Sequence, residues 1–300
     1  MDNKPQFFIV GAPKCGTTAL YEYLKKHPQV FMPRKEIYFF GRDFTFRHTQ
    51  RPDTDYYLSL FADAPPTATC LGEASVWYLY SQTAAQEIKE FNEKAKIIIM
   101  LRRPADMLYS LHSQQLYAGN ENIASFEQAL LAEKERRQGQ RLPPYIGCPY
   151  QALYYSEVAR YSRQVQRYLD VFGTRQVMVI VYDDFARHTA DVYRAVLQFL
   201  EIDADFQPEF KRVNTNKTVR WGFLRNLMRQ RPAFLVSLIK KILPQRSRRE
   251  AIQAKLWQLN THYTDRKRLP PDLYRQLTNA HIYDITRLEQ IINRDLTAWK

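Results

Sequence analysis

FFIVGAPKCGTTAL, residues 7–20, reads as a strand, a glycine-containing loop and the start of a helix. Four apolar residues of strand character run into the loop, and a helical pattern opens at about Thr17. This order gathers backbone N–H groups and the positive end of a helix dipole around one anion. Gly11 and Gly16 have the spacing of G-x-x-x-x-G-K-[ST], and Thr17 and Thr18 supply hydroxyls. The loop departs from that pattern at one place: no lysine follows Gly16, and Lys14 lies inside the loop instead. An enzyme acting on the terminal phosphate of a nucleoside triphosphate uses that lysine, a hydroxyl on Mg²⁺, and an acidic residue ending a neighbouring strand. Here the neighbouring run IIIML, 97–101, ends in Arg102-Arg103-Pro104. A cation where a metal-binding carboxylate would stand points to a second anionic group on the nucleotide, and no metal is expected.

Further apolar runs of strand length lie at 30–32 (VFM) and 177–182 (VMVIVY). Helical periodicity occupies 18–27, 81–95, 125–138, 154–172 and 190–202, with Gly173 as a C-cap and Pro143-Pro144 marking a loop. The last thirty residues have the pattern of a packed helix. The alternation predicts an α/β fold in three layers, a mostly parallel sheet with a P-loop-like phosphate-binding loop and helices on both faces. A chain of 300 residues without repeats or low-complexity tracts can bury a full core. The expectation is a single domain over 1–300 with a basic helical insertion at about 219–268.

The net charge of +13 is local. Lys211 to Arg268 holds sixteen Lys/Arg against Glu250 and Asp265, a balance of +14, whereas the other 242 residues carry 28 basic and 29 acidic side chains. Such a stretch attracts the nucleotide, a polyanionic substrate, an anionic membrane surface or nucleic acid, unless it is only a solvated basic face. No specific nucleic-acid partner is expected, because that reading leaves the loop unexplained. Cys15, Cys70 and Cys148 are too few and scattered for a disulfide framework or zinc site, which suggests a reducing compartment. The N-terminus lacks a cleavable apolar stretch and no run approaches the roughly 20 apolar residues of a membrane span. A soluble, cytoplasmic protein is expected; for 211–268 the alternatives are peripheral contact with an anionic membrane or polyanion and, slightly ahead of it, helices packed on the core with solvated arginines.

PKCGTTAL resembles the 5′-phosphosulfate loop of the sulfotransferases that use 3′-phosphoadenosine 5′-phosphosulfate (PAPS). LRRPADMLYS resembles their 3′-phosphate motif, an Arg after a strand followed eight residues later by Ser. The resemblance covers most of the chain and extends in order to KEIYFF (35–40), GEASVWYL (72–79), VYDDF (181–185) and IYDITRLEQIINRDLTAW (282–299). It is nearest to the heparan-sulfate-type and bacterial sulfotransferase domain proteins. It implies PAPS as donor and adenosine 3′,5′-bisphosphate as product. Pro13, Lys14, Cys15, Gly16, Thr17 and Thr18 would surround the 5′ side, and Arg102 and Ser110 would hold the 3′-phosphate. KRVNTNKTVRWG (211–222) lies where the family places a C-terminal loop over the nucleotide, so that Lys217 or Arg220 would reach a phosphate.

Sulfuryl transfer needs an acceptor stripped of its proton, a stabilised leaving phosphate, and in-line alignment. Lys14 suits the leaving group. Glu36, just after the predicted second strand and flanked by aromatic residues that raise its pKa by burial, suits the base. The resemblance implies the same, since the glutamate of a matching KExxFF motif is the base in the heparan sulfate enzymes. The competing reading is a structural carboxylate paired with Lys35 or Arg34. His112, two residues after Ser110, is the alternative base, because cytosolic small-molecule sulfotransferases use a histidine. His27 is assigned to structure. Two departures bear on the acceptor: Tyr38 and Gly41 stand where further sugar-binding polar residues occur, and Ala74 stands where a lysine is frequent. A carbohydrate hydroxyl is the first expectation, an amine, a lipid or another small molecule the second. The readings outside this family are a P-loop kinase or NTPase and a basic nucleic-acid- or membrane-binding module.

Overall fold

Phe7–Gly11 forms β1 with every residue buried, and its continuous apolar run fits a central strand covered on both faces. The computed structural model describes residues 4–45, 51–211, 217–222, 225, 245–264 and 268–300. After β1 come α1 (Thr17–Leu24), β2 (Val30–Phe31), α2 (Thr54–Ser59), β3 (Cys70–Ala74), α3 (Ala84–Phe91), β4 (Lys96–Leu101) and α4 (Pro104–Ala118). Then follow α5 (Phe126–Leu131), α6 (Glu133–Arg136), α7 (Tyr155–Val158), α8 (Tyr161–Phe172), β5 (Val177–Val181), α9 (Tyr182–Arg187) and α10 (Thr189–Leu200). The C-terminal third adds β6 (Lys217–Val219), α11 (Arg246–Asn260), β7 (Thr261–Tyr263) and α12 (Pro271–Ile292).

The main sheet has the order β2-β3-β1-β4-β5 and is parallel throughout. Phe7 pairs with Gly72 on one side and Lys96 on the other, and the register with β4 shifts between Ile9 and Gly11 as the strand leaves the sheet. The chain passes to opposite sides of β1 on its way to β3 and β4, which opens a crevice at their carboxyl ends. β6 and β7 form a separate antiparallel ribbon, Lys217 opposite Tyr263. The α/β architecture with a parallel sheet and helices around it agrees with the expectation from sequence.

Three local expectations change. β3 was not marked by an apolar run, because Gly72 and Glu73 interrupt it; a Cβ on Gly72 would lie 2.1 Å from the Phe7 ring, so that ring requires the bare backbone beside it. The helix expected over 154–172 is two, α7 and α8. The Gln164 amide donates to the carbonyls of Glu157 and Val158, satisfying acceptors that a continuous helix would have used, and Asp284 of α12 receives the N–H and hydroxyl of Ser162 at the new start. The segment 125–138 likewise divides into α5 and α6 on either side of Ala132. Of the expected insertion, 223–224, 226–244 and 265–267 lie outside the described residues.

Candidate active site

The 11–18 loop stands at the carboxyl ends of β1 and β4. The N–H of Ala12 donates to the Met100 carbonyl at 2.7 Å, and that of Leu79 to the Val10 carbonyl at 2.7 Å. Gly16 caps α1 with φ 91°, a left-handed conformation suited to glycine, and a Cβ there would press on Tyr182, Met100 and Phe185 at 3.1–3.3 Å. The first turn of α1 has no capping side chain and no acidic residue, so its positive end faces the loop undiminished. Lys14 is held with φ 62°, and its Nζ donates to Oε1 of Gln114 at 3.1 Å. Gln114 lies one turn beyond Ser110 on the same face of α4.

Arg102 follows β4 directly, beside this loop. Its guanidinium lies 4.8 Å from the centre of the Tyr182 ring, and both its charge and its backbone N–H act on the Cys15 sulfur. Burial nevertheless dominates and pushes the Cys15 thiol up to about 12, so it stays a neutral thiol whose Sγ donates to the Pro13 carbonyl. Cys15 therefore fills the loop rather than acting as a nucleophile. Ser110 is buried in the second turn of α4, a helix that begins at Pro104 without a capping side chain.

The loop 35–42 has no regular structure, yet each backbone N–H from Glu36 to Arg42 has an acceptor. Glu36 donates to the Ala74 carbonyl. Ile37 and Tyr38 donate to Oγ of Ser75 at 3.1 and 3.4 Å, and Phe39 and Phe40 to the Tyr78 hydroxyl at 2.9 and 3.3 Å. Gly41 and Arg42 donate to the Glu87 carboxylate at 2.9 and 3.0 Å. The Arg51 guanidinium gathers the carbonyls of Phe39, Phe40 and Gly41. Beneath them, the Ser75 hydroxyl donates to Glu73 Oε1 and the Tyr57 hydroxyl to Oε2, each at 2.6 Å. Burial raises the Glu73 carboxyl to about 7 against the pull of these hydroxyls.

Glu36 is thereby set beside the phosphate loop. Its Oε2 accepts from the Val76 N–H at 3.3 Å, and its Oε1 lies 4.0 Å from Lys35 Nζ. The same ammonium donates to Thr18 Oγ1 at 2.9 Å, so Lys35 spans from the loop to the carboxylate. Desolvation lifts Glu36 above the usual carboxylate range, while Lys35, the Tyr38 hydroxyl and the Val76 N–H pull it back. At 31% exposure its side chain remains within reach of an acceptor. Lys35 is itself held below the usual lysine range, mainly by burial.

His112 is buried, its Nε2 within hydrogen-bonding distance (2.9 Å) of the Ile123 carbonyl and its ring against Phe126 and Tyr155; burial lowers its pKa. His27 meets the Asp203 carbonyl. Lys217 pairs with Tyr263 in the ribbon, and the exposed Arg220 donates its backbone N–H to the Asn260 carbonyl. The structure thus brings together Lys14, Thr17, Thr18, Arg102 and Glu36 around the ends of β1, β3 and β4. Sequence reasoning passed over Lys35 as a bridge, Gln114, Glu73, Ser75 and Tyr78. A signal existed for Gln114 in its i+4 spacing from Ser110, and for the other three in their place within GEASVWYL.

Residues 4–227 match the sulfotransferase domain family. The chain is 28% identical over 212 residues to human bifunctional heparan sulfate N-deacetylase/N-sulfotransferase 3, covering 67% of this chain and 23% of that protein. It is 27% identical over 249 residues to carbohydrate sulfotransferase 15 of Rattus norvegicus, covering 66% of this chain and 44% of that one. The chain thus spans less than half the length of these curated relatives. A crystal structure of a sulfotransferase from Alicyclobacillus acidocaldarius is similar over nearly the whole length, with 32% identity, 99% and 98% of the two chains covered, and a TM-score of 0.74.

Proposed function

The chain belongs to the sulfotransferase family and is a sulfotransferase, and from that premise we propose that it uses PAPS to sulfate a hydroxyl or amine of a carbohydrate, with Lys14 on the leaving group and Glu36 as base. The kinase, NTPase and simple binding-module readings give way to this enzyme class. The residues at the crevice fit the donor. A cationic loop, an uncapped α1 terminus and two Thr hydroxyls suit a 5′-phosphosulfate, and Arg102 with Ser110 suits a 3′-phosphate. No carboxylate stands at the end of β4, where a triphosphate enzyme would hold Mg²⁺. When bound, PAPS supplies a sulfuryl group on an activated phosphate bridge that leaves as adenosine 3′,5′-bisphosphate. Lys14 places a positive charge where negative charge grows on the departing phosphate. Glu36 takes the proton from the acceptor as its oxygen or nitrogen bonds to sulfur, and its raised pKa brings it nearer to a working base.

The observation that carries this reading is the Lys35 bridge, which couples the carboxylate of Glu36 to Thr18 in the same loop that carries Lys14. The names of the curated relatives support the carbohydrate acceptor. Titration calorimetry with adenosine 3′,5′-bisphosphate and with ATP·Mg²⁺ tests the donor: the bisphosphate should bind well and ATP poorly, and the reverse order removes the proposal. Glu36→Gln should keep bisphosphate affinity and lose turnover by roughly 10²–10⁴-fold, the usual contribution of general base catalysis. Near-normal turnover would assign the proton to another group.

A further inference from the structure

Helix α11 turns its apolar side to solvent. Ile252, Leu256 and Leu259, at spacings of four and three residues, are 45, 39 and 55% exposed, and Arg248 and Lys255, also exposed, fall on the same face. The opposite side docks. Trp257 packs edge-on to Tyr117 of α4 at 5.9 Å, and Asn260 is buried, exchanging hydrogen bonds with the backbone of Trp221 at 2.8 and 3.1 Å. Trp221, 57% exposed, sits at the same end of the helix. A surface helix of a soluble domain ordinarily puts charged residues outward and apolar ones inward. Four of the seven exposed large hydrophobic residues among those described lie in this unit, within the 211–268 stretch whose balance is +14.

We propose that this face of α11, with Trp221 and the flanking Arg248 and Lys255, is a docking surface for an anionic lipid membrane. Charge argues for an anionic partner, and the three aliphatic side chains and the Trp argue for lipid over a soluble polyanion, which would reward only the basic groups. The contact is peripheral, since among the described residues no helix is long and apolar enough to cross a membrane. The surface is also tied to the active site. Tyr117 meets Thr261 of β7 through their hydroxyls at 2.9 Å, and it lies on α4, the helix that carries Ser110 and Gln114. Docking through α11 therefore holds the enzyme in one orientation at the surface, through the helix that lines the donor loop.

Flotation with phosphatidylcholine vesicles, with and without phosphatidylserine, tests the proposal on the full chain. The wild type should float with the phosphatidylserine vesicles and be released by high salt. The triple variant Ile252→Ser, Leu256→Ser, Leu259→Ser should lose roughly tenfold or more in partitioning. Arg248→Gln with Lys255→Gln should lose about fivefold per side chain on the anionic vesicles and little on neutral ones. Circular dichroism and the thermal midpoint show whether each variant is folded, and the charge variant stands as a second test should the apolar one fail. Failure of the wild type to float, or partitioning of both variants equal to that of the wild type, overturns the proposal. So does binding to heparin that is indifferent to the three aliphatic residues, which would assign a polyanion. A wild-type dimer that the triple variant dissolves would assign the face to a second copy of the chain.

Discussion

Replacing Glu73 by Gln tests whether a buried carboxylate under the loop 35–42 is protonated in the fold. Glu73 is 1% exposed, and burial lifts its pKa from 4.5 to about 7, with the hydroxyls of Ser75, Tyr57 and Tyr78 opposing. The folded chain then keeps a proton that the unfolded chain has released. The stability this contributes is fully present below about pH 4.5 and is lost as the pH rises to about 7. At roughly 1.4 kcal/mol per pH unit, the loss comes to about 3 kcal/mol. Gln has no such proton to lose. Both lone pairs of the Ser75 oxygen are engaged by Ile37 and Tyr38, so the Gln amide oxygen must accept from Ser75 while its NH₂ donates to the Tyr57 oxygen. That orientation preserves the loop. Urea unfolding of both proteins from about pH 5 to about pH 8 should therefore show the wild type losing up to about 3 kcal/mol relative to Glu73→Gln. Glu73→Ala should instead cost about 1–3 kcal/mol for each hydroxyl left without an acceptor, at every pH. Parallel pH–stability curves for wild type and Glu73→Gln would refute the reasoning.

The Lys35 ammonium lowers the Glu36 pKa, so Lys35→Ala should raise it further and move the acid limb of kcat/KM to higher pH; a pH–rate profile unchanged from wild type would remove Lys35 from the site. Lys14→Ala should reduce kcat by roughly 10²–10³-fold, the size seen when one transition-state donor is lost, and single-turnover kinetics would place the loss in the chemical step. Gly72→Ala would set a methyl 2.1 Å from the Phe7 ring in the centre of the sheet. A cost of about 1–3 kcal/mol is expected from overpacking, read as a lower urea midpoint with an unchanged slope.

The parts of the fold that sequence revealed are those governed by local pattern. β1, β4 and β5 carry unbroken apolar runs, and the glycine-bounded loop sits where a strand pattern gives way to a helix. The parts it concealed are those where a distant partner selects the residue. Gly72 answers to the Phe7 ring and Glu73 to the hydroxyls of Tyr57 and Ser75, so β3 lost its apolar signature to packing and to support of the site. The break between α7 and α8 depends on where one Gln164 amide points. Lys35 is adjacent to Glu36 in sequence and so was weighed as its partner. Its bond to Thr18 required the turn after β2 to fold back over α1, which no periodicity encodes.

Glu36 owes its place to a loop whose rigidity comes from outside itself. Glu36 and Tyr38 both adopt the left-handed conformation, φ 61° and 58°, at a cost of roughly 1–2 kcal/mol each. Between them Ile37 is 3% exposed. The two left-handed residues let the chain bury Ile37 while bringing the Glu36 carboxylate and the Tyr38 hydroxyl together against the core. Burial of one isoleucine side chain returns about 1.5–3 kcal/mol, comparable to the strain. The hydrogen bonds that the loop donates to Ser75, Tyr78 and Glu87 and accepts from Arg51 are then what select this conformation over others that would bury Ile37 equally well. The supporting groups come from three parts of the chain: Ser75 and Tyr78 from the segment after β3, Glu87 from α3, and Arg51 from the segment before α2. A carboxylate held by so many separate elements keeps its geometry only while the whole crevice is folded, which ties the position of the proposed base to the carboxyl ends of the strands that also carry the phosphate loop.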